Sequence, residues 1–169
     1  MRTKGYIVLT LMVLFIQILV LNNLSITPLV APMVYIVLIV MMPIESSQWK
    51  MLIAGLLLGM VMDLTMGTVG LNTIVTLPIA FFRPMLLQLS TGLSAMSKEE
   101  GIPSIKRLGV RFHRYAITLI VIHSILFYLV EWLSFDNFGV LMLRILCSTL
   151  CSLLLDYTII LLFTKRLSV

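Results

Sequence analysis

A chain of 169 residues that is 60% hydrophobic and only 11% charged, with a mean hydropathy of +1.13, lies far from the roughly 25% charge of a soluble domain and reads as an integral membrane protein. At roughly 20 apolar residues per crossing, six crossings would use about 120 residues and leave no room for a soluble domain. The net charge of +5, from 12 basic and 7 acidic residues, therefore reports topology and lipid contact, and argues against a nucleic-acid partner.

Arg2 and Lys4 precede the apolar stretch 5–21, which has the charged start and hydrophobic middle of a signal peptide. Its exit, NNLSITP, lacks a small-x-small cleavage site, so the stretch is expected to stay as a first helix. Pro28 and Pro32 open a second apolar segment, 29–42, closed by Pro43. Proline is tolerated in a first helical turn, and the segment is short for a full span. The polar patch from Glu45 to Lys50 turns the chain into a third helix, 49–66, and Gly67 to Gly70 make a tight turn into a fourth, 71–89, which Pro78 and Pro84 are expected to kink.

The long hydrophilic connection, Gly92 to Arg114, is broken at Gly101 and Pro103. After Ser104, the residues Ile105, Leu108, Phe112 and Tyr115 recur at helical spacing, while Lys106, Arg107, Arg111 and Arg114 fill the rest of the circumference. That pattern describes either a basic amphipathic segment at a membrane surface, suited to anionic lipid, or a solvated loop leading into helix five. Helices five and six follow at 115–134 and 139–164. Lysine and arginine fall in the two termini and the second and fourth connections, never in the first, third or fifth. The expected architecture is thus an all-α integral membrane protein: one domain of six transmembrane helices with both termini cytoplasmic.

The third helix carries the most informative pattern, GLLLGMVMDLTMGTVG over 55–70. Gly55, Gly59, Asp63 and Gly67 recur every four residues and so form one slowly drifting stripe. Small residues at this spacing let another helix approach closely, within the bundle or from a partner, and an intramembrane carboxyl must face protein or a wet cavity. Four ionisable groups besides histidine lie inside the expected spans: Asp63, Arg83, Arg144 and Asp156. Depths counted at about 1.5 Å per residue pair Arg83 with Asp156 in the cytoplasmic half and Asp63 with Arg144 in the outer half. Snorkelling of either arginine to the nearer interface is the alternative.

His123 reads as a hydrogen-bond partner of a neighbouring helix, or less simply as a proton relay. Gln17 and Gln88 read as interhelical partners or interfacial residues. Cys147 and Cys151, four apart on one helix, read as packing residues with neither disulfide nor metal-ligand company. Two intramembrane aspartates raise the idea of an aspartic protease dyad, but a dyad shares one proton at contact distance and Asp63 and Asp156 differ by about 6 Å in counted depth. No histidine cluster, phosphate loop or nucleophile with a nearby base is present, so neither an enzyme nor a cofactor is expected.

The run Gly59-Met-Val-Met-Asp63-Leu-Thr-Met-Gly67, followed by Gly70-Leu-Asn72 and an apolar helix, resembles the signature of the rod shape-determining MreD family. Length, the short second segment and the basic loop resemble that family over essentially the whole chain. The spacing Gly67-x-x-Gly70 is one residue tighter than in some relatives, so a role for Gly70 carries over less directly than for Gly59, Asp63 and Gly67. The resemblance implies a non-enzymatic component of the cell-elongation machinery in the bacterial inner membrane. Its implied partners are MreC, the MreB filament, and the glycosyltransferase and transpeptidase that extend lateral peptidoglycan. The implied fold is similar to the substrate-binding S components of energy-coupling-factor transporters. The alternative is therefore such a small-molecule-binding subunit, with Asp63 lining an outward pocket.

Overall fold

The computed structural model describes residues 3–23, 30–92, 101–131 and 138–166, without the side chains of 3, 4, 106, 107, 138 and 164–166. The described chain is helical, and five of its helices are long and apolar enough to cross a membrane. The first, α1 (Thr3–Phe15), continues through a π-helical turn, Ile16–Val20, and a 3₁₀ turn, Leu21–Asn23. The other long helices are α3 (Gln48–Met66), α4 (Leu71–Thr91), α6 (Val110–Glu131) and α7 (Phe138–Arg166). Two four-residue helices, α2 (Val37–Val40) and α5 (Ile105–Leu108), complete the order.

The second apolar segment departs from its expectation. Residues 29–42 are expected to form one helix, yet residues 31–34 are irregular and only Val37–Val40 are helical. The segment is instead the centre of the molecule: Met33 to Met41 are all 2% exposed or less, and α2 touches all five long helices. Hydropathy is the same for a lipid-facing helix and for an irregular chain wrapped in other helices, so the pattern alone does not separate them. What decides is whether neighbours can satisfy the freed backbone, since irregular backbone at membrane depth survives only when buried in protein.

Side chains from four of the surrounding helices do this, one group at a time. From α7, Ser148 accepts from the Ala31 N–H at 3.2 Å and Ser152 from the Met33 N–H at 2.9 Å. Gln17, at the π-helical turn, accepts from the Val34 N–H at 2.6 Å and donates to Pro32 O at 3.4 Å. Such a turn re-aims a residue that an unbroken helix would place elsewhere. Tyrosine hydroxyls donate to the carbonyls: Tyr128 to Ala31, Tyr6 to Leu38 and Tyr115 to Val40. Arg83 of α4 donates to Met42 O at the far end, where a cation also suits the partial negative charge of a helix C-terminus.

Replacing Ser152 by alanine is expected to leave the Met33 N–H without its partner and to cost about 1–3 kcal/mol of unfolding free energy. Thr158→Ala is the control, because that exposed hydroxyl bonds only the Leu154 carbonyl of its own helix; it should stay within about 0.5 kcal/mol of the parent. Denaturant unfolding in mixed micelles, followed by circular dichroism, reads both.

Outside this core the helices present apolar side chains outward. Leu64 is 82% exposed, and Ile53, Leu57, Phe82, Leu89, Leu146 and Leu154 are exposed as well. This is the surface expected of helices set in lipid.

The basic connection, expected either as an amphipathic segment at the membrane surface or as a solvated loop leading into helix five, is built as a short helix followed by the first turns of a long one. Gly109, at φ 56°, separates α5 from α6. Arg111 and Arg114 therefore lie on the first turns of a long helix. Leu108, Phe112 and Tyr115 point inward, while Arg111 and Arg114 are exposed. Arg111 donates to Thr91 O at the end of α4 (3.1 Å). The side chains of Lys106 and Arg107 lie outside the described residues. Nearby, Ile44 N–H donates to Gly101 O and Gly101 N–H to the Glu45 carboxylate, at 2.9 and 2.5 Å, tying this loop to the end of the inserted segment.

Candidate functional site

The stripe of small residues on α3 is spent inside the molecule. A Cβ on Gly55 would lie 2.6 Å from Ala80 Cβ, and one on Gly59 would lie 2.5 Å from Thr73 Cα. Both neighbours belong to α4, so the absence of a side chain is what lets these two helices touch along their length. Gly67 and Gly70 serve otherwise: they stand at φ 67° and 79° with open space around them. Their contribution is backbone freedom at the turn.

Asp63 sits where that hairpin closes. Its Oδ1 accepts from Thr68 Oγ1 (2.6 Å), Asn72 N (2.8 Å) and Asn72 Nδ2 (3.1 Å). Its Oδ2 accepts from Thr73 N (3.0 Å) and Thr73 Oγ1 (2.6 Å). Asn72 and Thr73 are the second and third residues of α4, whose cap position is Gly70 and so has no side chain to offer. The carboxylate of α3 thus supplies, from the preceding helix, the N-terminal cap that α4 cannot make for itself. It also places a negative charge at the positive end of a 21-residue helix.

The cap continues into a buried polar chain. With Asn72 Nδ2 turned to Asp63, its Oδ1 accepts from the Tyr35 hydroxyl (3.1 Å). Tyr35 belongs to the inserted segment and also meets Thr76 Oγ1 (3.2 Å) and His123 Nε2 (3.0 Å). Its single proton is committed to Asn72, so His123 is the donor through Nε2–H and presents an unprotonated Nδ1. Asp63, Asn72, Tyr35 and His123 therefore link α3, α4, the inserted segment and α6 in one network. His123 is a hydrogen-bond partner here; its Nδ1 has no partner among the described residues.

Neither expected ion pair forms. Arg144 is bound to Glu131 at 3.1 Å and lies over the Tyr128 ring at 5.6 Å, so Asp63 is satisfied without it. Arg83 donates to Met42 O and to Met51 Sδ (3.3 Å) and sits 6.0 Å from the Tyr115 ring centre. Asp156 is fully buried, and neither carboxyl oxygen has a hydrogen-bond partner among the described residues. Counting residues gives depth along a helix but not direction around it, and five neutral donors can satisfy a carboxylate as well as one cation can.

Sequence reasoning missed Thr68, Thr73, Tyr35, Ser148 and Ser152 as members of the site. One signal was present: Ser148, Ser152 and Asp156 repeat every four residues on an otherwise apolar helix. Gln17 faces the inserted segment, Gln88 is exposed, and Cys147 and Cys151 are free thiols. Among the described residues no three histidine, cysteine or acidic side chains gather as metal ligands. Comparison of the chain with family models, with curated proteins and with solved structures gives no match.

Proposed function

We propose that this multi-pass membrane protein is a non-enzymatic scaffold of the bacterial cell-elongation machinery, of the MreD type, in the inner membrane. Its work is to bind MreC and the glycosyltransferase and transpeptidase of lateral wall synthesis, with MreB reached at the cytoplasmic face. The inserted segment makes the second of six crossings, which keeps both termini cytoplasmic and every basic loop on one side. Arg111 and Arg114 contact anionic lipid there.

One observation carries this reading: the motif that resembles that family's is a structural clasp in which both Asp63 oxygens are filled, around a centre occupied by the chain's own residues. A small-molecule subunit needs convergent polar groups around an open site. Here the polar groups converge on the backbone of residues 31–42. The outer surface of the described helices is then the face open to partners, and a nearly loopless chain meets membrane partners through it.

Affinity purification of the tagged chain from native membranes in mild detergent is expected to recover MreC and the wall synthases. Recovery of an ATPase module with a bound metabolite would replace the scaffold by the transporter subunit.

A further inference from the structure

Ser148, Ser152 and Asp156 occupy successive turns on one face of α7, at 0%, 1% and 0% exposure. The first two hold the N–H groups of residues 31 and 33. The inserted segment and α7 therefore advance together over these two contacts, two residues against one turn, and Asp156 is next in the series on α7. Unlike the two serines above it, its carboxyl has no hydrogen-bond partner among the described residues.

Among the described residues the other polar groups turned to the segment each have a partner, although the Arg83 Nε and His123 Nδ1 atoms do not. Tyr6 of α1 bonds Leu38 O, and Arg83 of α4 bonds Met42 O and Met51 Sδ. From α6, Tyr115 bonds Val40 O, Tyr128 bonds Ala31 O, and His123 bonds Tyr35. Asp63 of α3 is saturated at the hairpin. On α7 itself, Tyr157 is bound to His113 at 2.8 Å. Among the described residues no cation pairs with Asp156, and an unpaired carboxylate in such an interior is far costlier than the neutral acid.

We propose that Asp156 is a proton-binding site inside the bundle, and that the element its proton controls is the inserted segment. While the acid is neutral, the segment stays seated between α7 and α6. Loss of the proton to water creates a buried charge, which is relieved only by letting water or backbone N–H groups reach it. The two serine contacts then release, and residues 30–36 move. The balance is simple: one O–H bond breaks, the proton leaves to solvent, and a carboxylate remains. This inference stands apart from the scaffold reading and uses none of its partners.

Two measurements on the full chain in lipid nanodiscs test it. Infrared spectroscopy should show the C=O stretch of a carboxylic acid at the high-frequency edge reserved for acids without hydrogen bonds. The band should be lost in Asp156→Asn and should fade in the parent as pH is raised. Amide hydrogen exchange of residues 30–36 should be equal in the parent and Asp156→Asn at acid pH. At alkaline pH it should become about tenfold faster in the parent alone; comparison at matched pH removes the intrinsic rate change. Absence of the band, a band that does not fade, or equal exchange at every pH would each overturn the proposal. Should Asp156→Asn fail to fold, isotope-edited spectra of the parent, with labelled aspartate, carry the same decision through the band, and the α3 amides of the same chain serve as the matched-pH reference for exchange of residues 30–36.

Discussion

Asp63→Ala is expected to lower the unfolding free energy by about 3–5 kcal/mol, the range for removing one side of a buried charge-assisted network. The loss has two parts. Five donors lose their acceptor at once, among them the two α4 N–H groups that have no intrahelical partner. Asn72 then has nothing to hold its amide, and the Tyr35 hydroxyl loses the acceptor that seats the inserted segment. Asp63→Asn is expected to recover little, because its amide nitrogen would face either the Thr73 N–H and hydroxyl or the donors from Thr68 and Asn72. Unfolding in mixed micelles measures all three proteins. Because Arg144 is bound to Glu131 instead, Asp63→Ala and Arg144→Ala should add within about 0.5 kcal/mol when combined. A larger coupling would restore the ion pair that residue counting suggests.

The hairpin was legible in the sequence and the core was not, for physical reasons that differ. Helices α3 and α4 occupy 48–66 and 71–91 against expected spans of 49–66 and 71–89, because glycines at the turn and apolar runs on either side are local signals. The four-residue repeat through Gly55, Gly59 and Asp63 shows that one face is special without saying what covers it. Residues 29–42 carry no comparable signal. Their apolar pattern suits a helix in lipid, and their irregular path depends on Ser148, Ser152, Tyr128 and Gln17, which arrive from more than ten residues away in either direction. The polar side chains of α7, α6 and α1 become intelligible only as partners for someone else's backbone. The same holds for Arg83: it serves a carbonyl just past α2, and a carbonyl has no letter in the sequence.

Gly59→Leu is expected to cost more than the roughly 1–3 kcal/mol typical of an overpacked core, because the obstruction is backbone. The new Cβ would lie 2.5 Å from Thr73 Cα and 2.9 Å from Thr73 N, and neither atom can turn aside as a flexible side chain would. Relief requires α3 and α4 to separate at the very residue whose N–H and hydroxyl bind Asp63. Packing and capping therefore fail together, and Gly59→Leu combined with Asp63→Ala should cost clearly less than the sum of the two. Gly59→Ala should show the same effect in smaller measure. Gly67→Ala, with open space around it and φ 67°, should cost only about 1 kcal/mol through backbone strain. The contrast separates an internal seam from a docking surface: a glycine facing a partner would leave unfolding of the isolated chain unchanged on substitution and would appear only in co-purification. Unfolding of Gly59→Leu at parental stability would move the α3 stripe to the outside of the bundle, and the fold described for α3 and α4 with it.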